Sequence, residues 1–130
     1  MDQSPFLVFA IETAKSAGNI LLNHLGKTSS FKQKSTDIDL VTIADTESES
    51  FIVKQIQSIY PTHQIVAEES AIKKGNSDYK WVIDPLDGTT NFVHNLPIFA
   101  VSIGLQYKQE TIAAVVYNPA AEKCFWAEKN

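Results

Sequence analysis

This chain is organised around the stretch Asp84-Pro85-Leu86-Asp87-Gly88-Thr89-Thr90-Asn91-Phe92. The four residues before it, Lys80 to Ile83, have the aromatic and β-branched content of a buried strand. Pro85 ends that strand, because proline has no N–H for the ladder and a fixed φ. The two aspartates therefore lie three residues apart across a tight turn. We expect their carboxylates to point into one space.

The residue types in this turn suit a cation and a phosphate. Two carboxylates placed together repel each other unless a cation neutralises them, and Mg²⁺ is a hard ion that binds carboxylate and carbonyl oxygens. The carbonyl of Leu86, between the aspartates, is a plausible third oxygen. Gly88 allows close backbone approach, and Thr89 and Thr90 offer N–H and O–H donors at the start of a short helix, which suits phosphate. An Asp-rich surface turn is the alternative.

Acidic residues also lie next to another predicted strand and at the predicted start of the second helix. Gln64 to Ala67 reads as a buried strand, and it is followed by Glu68 and Glu69, so two strands end in carboxylates. Thr42 and Asp45 fit an N-cap and a nearby acid at the start of a second helix. From this segment alone, Asp45 is better explained as a stabiliser of the helix end than as a catalytic group.

The remaining pattern predicts helices packed on a sheet. One apolar stripe at helical spacing runs from the Ser4 cap to Gly26, and a second runs from Thr42 to Ile59. Phe99 to Leu105 and Thr111 to Tyr117 form a β-hairpin, and a further strand begins at Lys123. The predicted fold class is α+β, with two helices on a largely antiparallel sheet.

Several single residues carry weaker expectations. Trp81, Phe125 and Trp126 are expected in the core, whereas His24 and His63 are expected on the surface. No second metal-binding side chain stands at helical spacing from His24.

Two polar segments read as loops. Lys27 to Thr36 contains three lysines and indicates either a mobile loop over an anionic group or a solvated loop. Lys73 to Asp78 reads as an exposed loop.

Composition limits the class of protein. The chain has 130 residues, 44% hydrophobic and 20% charged, which is typical of one soluble globular domain. Its net charge of −4 disfavours nucleic-acid binding. The single cysteine, Cys124, is expected to be buried and inert, and it fits a reducing cytoplasm. The acidic N-terminus and the lack of a long apolar run predict neither a signal peptide nor a membrane span.

In these residues the sequence resembles the inositol monophosphatase family of Mg²⁺-dependent, lithium-sensitive phosphatases. The resemblance rests on Glu68-Glu69-Ser70, on Trp81 to His94, on Pro97 and on Ala100 to Gly104, and it extends over nearly the whole chain. It implies a layered α/β sugar-phosphatase fold of which residues 1–130 form the N-terminal half. It also implies a small phosphomonoester substrate, cytoplasmic location, no membrane partner and a homodimer in the full-length form.

The resemblance assigns roles to individual residues. Glu68, Asp84 and the carbonyl of Leu86 resemble the ligands of a first Mg²⁺, and Asp84 and Asp87 resemble those of a second. Asp45, Thr89 and Glu68 stand in the catalytic positions, Asp45 and Thr89 being the pair that orients and helps deprotonate the attacking water. The phosphate and substrate contacts fall on Asp87, on the backbone of Gly88 and Thr89, and on Lys34, which matches a lysine of a flexible loop.

The mechanism implied is direct attack of a metal-activated water on a phosphomonoester, most simply inositol monophosphate or a related sugar or polyol phosphate, without a covalent intermediate. Family members carry a second half whose Trp-Asp motif completes the second metal site, so this chain is expected to be weakly active or inactive alone. It is also expected to expose a sheet edge that favours association.

Two alternatives remain at this point. One is a non-catalytic metal- or partner-binding module built on the same fold. The other is a phosphatase for a bisphosphorylated nucleotide or fructose bisphosphate, which the short spacing from Thr90 to Pro97 mildly disfavours.

Overall fold

The first helix follows from local sequence signals. The computed structural model of the protein describes residues 3–25, 34–67 and 70–129. Helix α1 spans Pro5–His24, and the side-chain oxygen of Ser4 caps it by accepting a hydrogen bond from the backbone N–H of Leu7 at 3.2 Å. Proline at the first helical position costs no hydrogen bond, because that N–H has no partner inside the helix. The predicted start of this helix is confirmed.

The second helix is longer than the sequence pattern predicted. Helix α2 spans Lys34–Ile59, so Thr42 lies in its interior and the predicted start at Thr42 is wrong. The prediction that Lys34 belongs to a loop is wrong for the same reason. Residues 34–41 contain neither glycine nor proline, so no helix breaker separates them from the apolar stripe that follows. Capping signals of the Thr42 type also occur by chance inside helices.

Within the described residues, six strands form one mixed sheet. They are β1 (Gln64–Ala67), β2 (Ser70–Lys73), β3 (Tyr79–Asp87), β4 (Ala100–Tyr107), β5 (Glu110–Asn118) and β6 (Lys123–Glu128). Their order across the sheet is β2-β1-β3-β4-β5-β6, and among these strands only the β1–β3 pair is parallel. A third helix, α3 (Thr89–Val93), follows β3. The predicted α+β class is confirmed, although β2 was not expected. The predicted end of β3 at Pro85 is wrong, because the strand continues to Asp87 through a shift in its pairing with β4, where the missing N–H of proline costs no regular ladder bond.

Helices α1 and α2 cover one face of this sheet. The core between them includes Trp81 and Ile83 from β3 and Leu21 from α1, all 1% exposed or less. Gly18 lets α1 approach closely, because a Cβ atom there would lie 2.9 Å from the Tyr117 ring. Neither α1 nor α2 has, within the part that can be described, the length and apolar composition of a membrane span.

The aromatic residues of β6 are exposed, contrary to expectation. Phe125 is 64% exposed and Trp126 is 49% exposed, whereas Trp81 is fully buried as predicted. The reason is the position of β6 at the end of the sheet order, where only β5 lies beside it. Successive residues of a strand face opposite sides, so both sides of this outer strand present an aromatic ring to solvent. Cys124, on the same strand, is half-buried rather than buried, and its thiol is free.

The two long helices are also joined at their surface. His24 at the end of α1 lies 3.0 Å from the Glu47 carboxylate of α2, between Nε2 and Oε2. The predicted position of His24 near the surface is confirmed.

Candidate active site

A β-bulge at the end of β3 brings two carboxylates to one face of the sheet. Asp84 pairs with Ser102 and Asp87 pairs with Ala100, so three steps along β3 match two steps along β4. In a regular strand, residues three apart face opposite sides of the sheet. The extra residue of a bulge brings two such residues to the same side. The burial pattern agrees, since Pro85 and Leu86 are buried whereas Asp87 is exposed and Asp84 is half-buried.

The Pro85–Leu86 peptide group, between the two aspartates, is hydrogen-bonded at both its carbonyl and its N–H. The backbone N–H of Leu86 donates to Oδ1 of Asp84 at 3.3 Å, and the carbonyl oxygen of Pro85 accepts a hydrogen bond from the Ser48 hydroxyl of α2 at 2.8 Å. The turn is therefore attached to a helix of the core as well as to its own carboxylate.

Gly88 allows the chain to turn directly after Asp87. Its φ of +92° lies in the left-handed region, and a Cβ atom there would lie 3.0 Å from the carbonyl oxygen of Ile98. Phe92 of α3 is fully buried and packs edge-on against Phe99, with the ring centroids 5.1 Å apart. This contact fixes α3 against the sheet, and Thr89, its first residue, stays exposed.

The other predicted site residues lie on different elements. Asp45 is half-buried on α2, three residues before Ser48. Lys34 is the first residue of α2, and its side chain lies outside the described part. Glu68 also lies outside the described residues. The last residue of β1, Ala67, pairs with Ile83, the residue before Asp84, and the two strands are parallel.

The donor set of the turn suits a hard divalent cation but is incomplete by itself. Asp84 and Asp87 offer carboxylate oxygens on one face, and oxygen ligands are those that Mg²⁺ prefers. Among the side chains that the structure describes, no group of three or more His, Cys, Asp or Glu residues could hold a metal ion. Mg²⁺ is commonly held by one or two carboxylates together with carbonyl oxygens, water or substrate phosphate, so two carboxylates can form part of such a site.

A shallow cleft lies beside the turn. Its volume is about 370 Å³, and it is lined by Asp87, Gly88 and Asn91 together with Phe99 and Asn118. The Asn91 side-chain amide donates to the carbonyl of Ile98 at 2.8 Å, which ties α3 to the segment that leads into β4. A small polar ligand has space next to the Asp87 carboxylate.

A buried histidine, expected on the surface, packs against the opposite end of β3 from its position just before β1. His63 is 7% exposed and stacks between the rings of Tyr60 and Tyr79, with centroids 4.8 and 4.7 Å away. Its Nδ1 accepts a hydrogen bond from Nε1–H of Trp81 at 3.0 Å. Burial lowers the pKa of His63. Its environment is that of a structural core residue.

Comparisons with known proteins identify the family. A profile of the inositol monophosphatase family matches residues 2–130. The chain is 42% identical over 128 residues to a protein named Nus factor SuhB from Vibrio cholerae, covering 96% of the chain and 48% of the relative. It is 40% identical over 124 residues to inositol monophosphatase 3 of Solanum lycopersicum, covering 92% and 46%.

A solved structure shares the fold. The extragenic suppressor protein suhB of Bartonella henselae superposes with a TM-score of 0.84 at 34% identity, over 96% of this chain and 48% of that one. The chain thus spans about half the length of the relatives that it matches. Because the family profile matches nearly every residue, the chain belongs to the inositol monophosphatase family.

Proposed function

We propose that the protein acts in Mg²⁺-dependent hydrolysis of a phosphomonoester, and that the turn from Asp84 to Thr89 forms the centre of the site. The observation that carries this proposal is the bulge in β3, which puts both carboxylates on one face directly before Gly88. A surface turn with no ligand gains nothing from two like charges on the same side. Family membership supports the same conclusion.

In this proposal the metal ligands come from the end of β3 and from Glu68, which follows β1 in the sequence. Asp84 and the carbonyl of Leu86 bind a first Mg²⁺ together with Glu68, and Asp84 and Asp87 contribute to a second. Bound Mg²⁺ supplies activation of a water molecule and neutralises charge on the departing alkoxide. The parallel pairing of Ala67 with Ile83 supports a contribution from Glu68, since the two strands run in the same direction to this edge.

The other proposed residues position the reactants. Asp45 and Thr89 would orient the attacking water and help to deprotonate it, with the proton passing to the Asp45 carboxylate, and the backbone of Gly88 and Thr89 would hold the phosphate. The half-buried position of Asp45 on α2 supports this role, because α2 is attached to the same turn through Ser48. Lys34, at the start of α2, is proposed to contact the substrate phosphate.

The proposed substrate is inositol monophosphate or a related sugar or polyol phosphate. The cleft of about 370 Å³ beside Asp87 and Gly88 accommodates a group of this size. Since the chain spans about half the length of its relatives, we propose that full activity belongs to a longer protein and that residues 1–130 alone are weakly active or inactive.

The test compares two aspartate variants in the product of the whole gene. Asp87→Asn removes a proposed ligand, and Asp78→Asn removes an exposed carboxylate near the start of β3 as a matched control. Substitution of groups that only support a metal ligand costs about 10- to 100-fold. We therefore expect Asp87→Asn to lower Mg²⁺-dependent phosphate release by more than about 100-fold, with no effect of Asp78→Asn.

Phosphate release is measured with inositol monophosphate, fructose bisphosphate and a bisphosphorylated nucleotide, and Mg²⁺ binding is measured by calorimetry. Activity retained by Asp87→Asn would contradict the site, and preference for either bisphosphate would contradict the proposed substrate.

A second candidate function is a non-catalytic metal- or partner-binding module. The observation in its favour is that the relative at 42% identity is named a Nus factor rather than a phosphatase. Mg²⁺ binding that Asp87→Asn abolishes, without phosphate release from any of the three substrates, would favour the module over the enzyme.

A further inference from the structure

Ser48 is a polar residue in an apolar stripe. It lies on α2 at the same spacing as Ala44, Ile52 and Ile56, and all four are fully buried. A serine inside a helix usually bonds to the carbonyl of its own preceding turn. Here the hydroxyl instead donates to the carbonyl of Pro85, 37 residues away, at 2.8 Å. A hydroxyl at such a position needs a polar partner, and the turn provides it.

The Pro85 carbonyl lies where the sheet pairing is interrupted. The pairing of β3 with β1 ends at Ile83, and its pairing with β4 passes from Asp84 directly to Asp87. The bulge that aligns the two carboxylates thus takes the Pro85–Leu86 peptide out of both ladders. A buried carbonyl without a partner is unfavourable, so the Pro85 carbonyl requires a hydrogen-bond donor from outside the sheet.

Two hydrogen bonds restrain the Pro85–Leu86 peptide plane, and the one from Ser48 holds its carbonyl end. The carbonyl of Pro85 and the N–H of Leu86 belong to a single planar peptide group, and the N–H is bonded to Oδ1 of Asp84 at 3.3 Å. Rotation of this plane would move the Asp84 carboxylate and re-aim the carbonyl of Leu86 that follows it. Both oxygens are ligands in the proposed metal site.

The same hydrogen bond fixes the position of α2, along its own axis, relative to the turn. Asp45 lies three residues before Ser48, so both lie on neighbouring positions of one helical face. A helix anchored at Ser48 keeps Asp45 at a constant distance along its axis from the turn. The hydrogen bond from Ser48 therefore restrains the distance between the proposed water-orienting residue and the proposed metal ligands.

We propose that Ser48 is a positioning residue of the metal site, acting through the Pro85–Leu86 peptide rather than by touching substrate or metal. This inference rests on the proposed function, because it assumes that Mg²⁺ binds at Asp84 and Asp87. Groups that orient metal ligands typically change metal affinity by 10- to 100-fold when removed.

The experiment measures Mg²⁺ affinity by calorimetry in the product of the whole gene, with Mg²⁺ alone as the probe. Ser48→Ala removes the hydroxyl, and Ser48→Cys keeps the volume but offers only a weak donor. Thr13→Val is the matched control, because Thr13 is a hydroxyl residue of α1 that is only 5% exposed and lies in the groove between α1 and α2. Thermal unfolding of each variant reports the purely structural effect.

We expect Ser48→Ala to weaken Mg²⁺ binding by about tenfold or more, Ser48→Cys to fall between it and the wild type, and Thr13→Val to leave the affinity unchanged. If Ser48→Ala does not fold, the comparison of Ser48→Cys with Thr13→Val carries the test. Equal affinities of the wild type and the Ser48 variants would overturn the inference, as would an equal loss in Thr13→Val. Absence of any Mg²⁺ binding that Asp87→Asn removes would instead overturn the proposed function itself.

Discussion

The two ends of strand β3 have opposite chemistry. At its start, Tyr79 and Trp81 belong to a cluster of aromatic rings around His63, in which the indole N–H of Trp81 donates to Nδ1 of the imidazole. At its end, Asp84 and Asp87 present carboxylates to one open face. A single strand of nine residues thus connects a structural cluster to a candidate active site.

The difference between the two ends lies in the regularity of the strand. From Tyr79 to Asp84 side chains alternate between the helix-covered face and the other face, so Trp81 and Ile83 both enter the core. After Asp84 the bulge breaks this alternation, and the Ser48 hydroxyl of α2 donates to the Pro85 carbonyl from outside the sheet. We infer that the regular end supplies stability and the irregular end supplies function. Each end can be altered separately, with the free energy of unfolding as the common measure.

The largest loss of stability is expected at the aromatic end. Trp81→Ala empties a fully buried site and leaves Nδ1 of His63 without its donor, so the free energy of unfolding should fall by about 3–5 kcal/mol. Val82→Ala, at the next position on the other face and 36% exposed, is the control and should cost far less. Urea denaturation measures both. A loss below about 1 kcal/mol for Trp81→Ala would contradict the structural role of this cluster.

A smaller loss is expected for Gly88→Ala at the other end. A Cβ atom at φ +92° is strained, and it would lie 3.0 Å from the Ile98 carbonyl, so the expected cost is about 1–3 kcal/mol. Gly75→Ala is the matched control, because nothing lies within 4 Å of its Cβ position. Denaturation of both variants decides the point, and equal stabilities would show that the turn does not require glycine.

Acid should destabilise the aromatic end gradually. Burial lowers the pKa of folded His63, and Nδ1 cannot be protonated while it accepts from Trp81. The unfolded chain therefore binds a proton more readily, and the contribution to stability is complete above the unfolded pKa of about 6.5. It is lost as the pH falls through that value towards the lower folded pKa, with a limiting slope of about 1.4 kcal/mol per pH unit.

The measurement is the free energy of unfolding at intervals from pH 7.5 to 5.5. His63→Phe keeps a ring in the stack but cannot titrate, so its stability should depend less on pH than that of the wild type. An unchanged slope in His63→Phe would assign the acid sensitivity to other groups.

The smallest change of stability is expected for Asp87→Asn. The side chain is exposed, and its removal relieves repulsion with Asp84, so the free energy of unfolding in metal-free buffer should change by less than about 0.5 kcal/mol. A loss of more than about 1 kcal/mol would indicate that Asp87 supports the fold rather than a ligand. The contrast with Trp81→Ala is the sharpest test of the difference between the two ends.

Features determined by neighbouring residues were predictable from the sequence alone. The Ser4 cap with Pro5, the hairpin of β4 and β5, and the existence of a strand leading into Asp84 all depend on local propensities and spacing. The continuation of that strand past Pro85 to Asp87 was not predictable in this way, because it depends on the pairing with β4. The family could also be inferred, because its motif is contiguous from Trp81 to His94. The expected roles of Asp45, Glu68 and Lys34 stay predictions.

Features determined by distant residues were decided only by the tertiary structure. The partner of Ser48 lies 37 residues away and that of His63 lies 18 residues away, so no local pattern distinguishes them from an ordinary stripe residue and a turn histidine. The exposure of Phe125 depends on where β6 falls in the sheet order. The sequence by itself determined which groups could do the chemistry, whereas packing decided how the bulge is held, because a buried polar group is stable only where another element brings its partner.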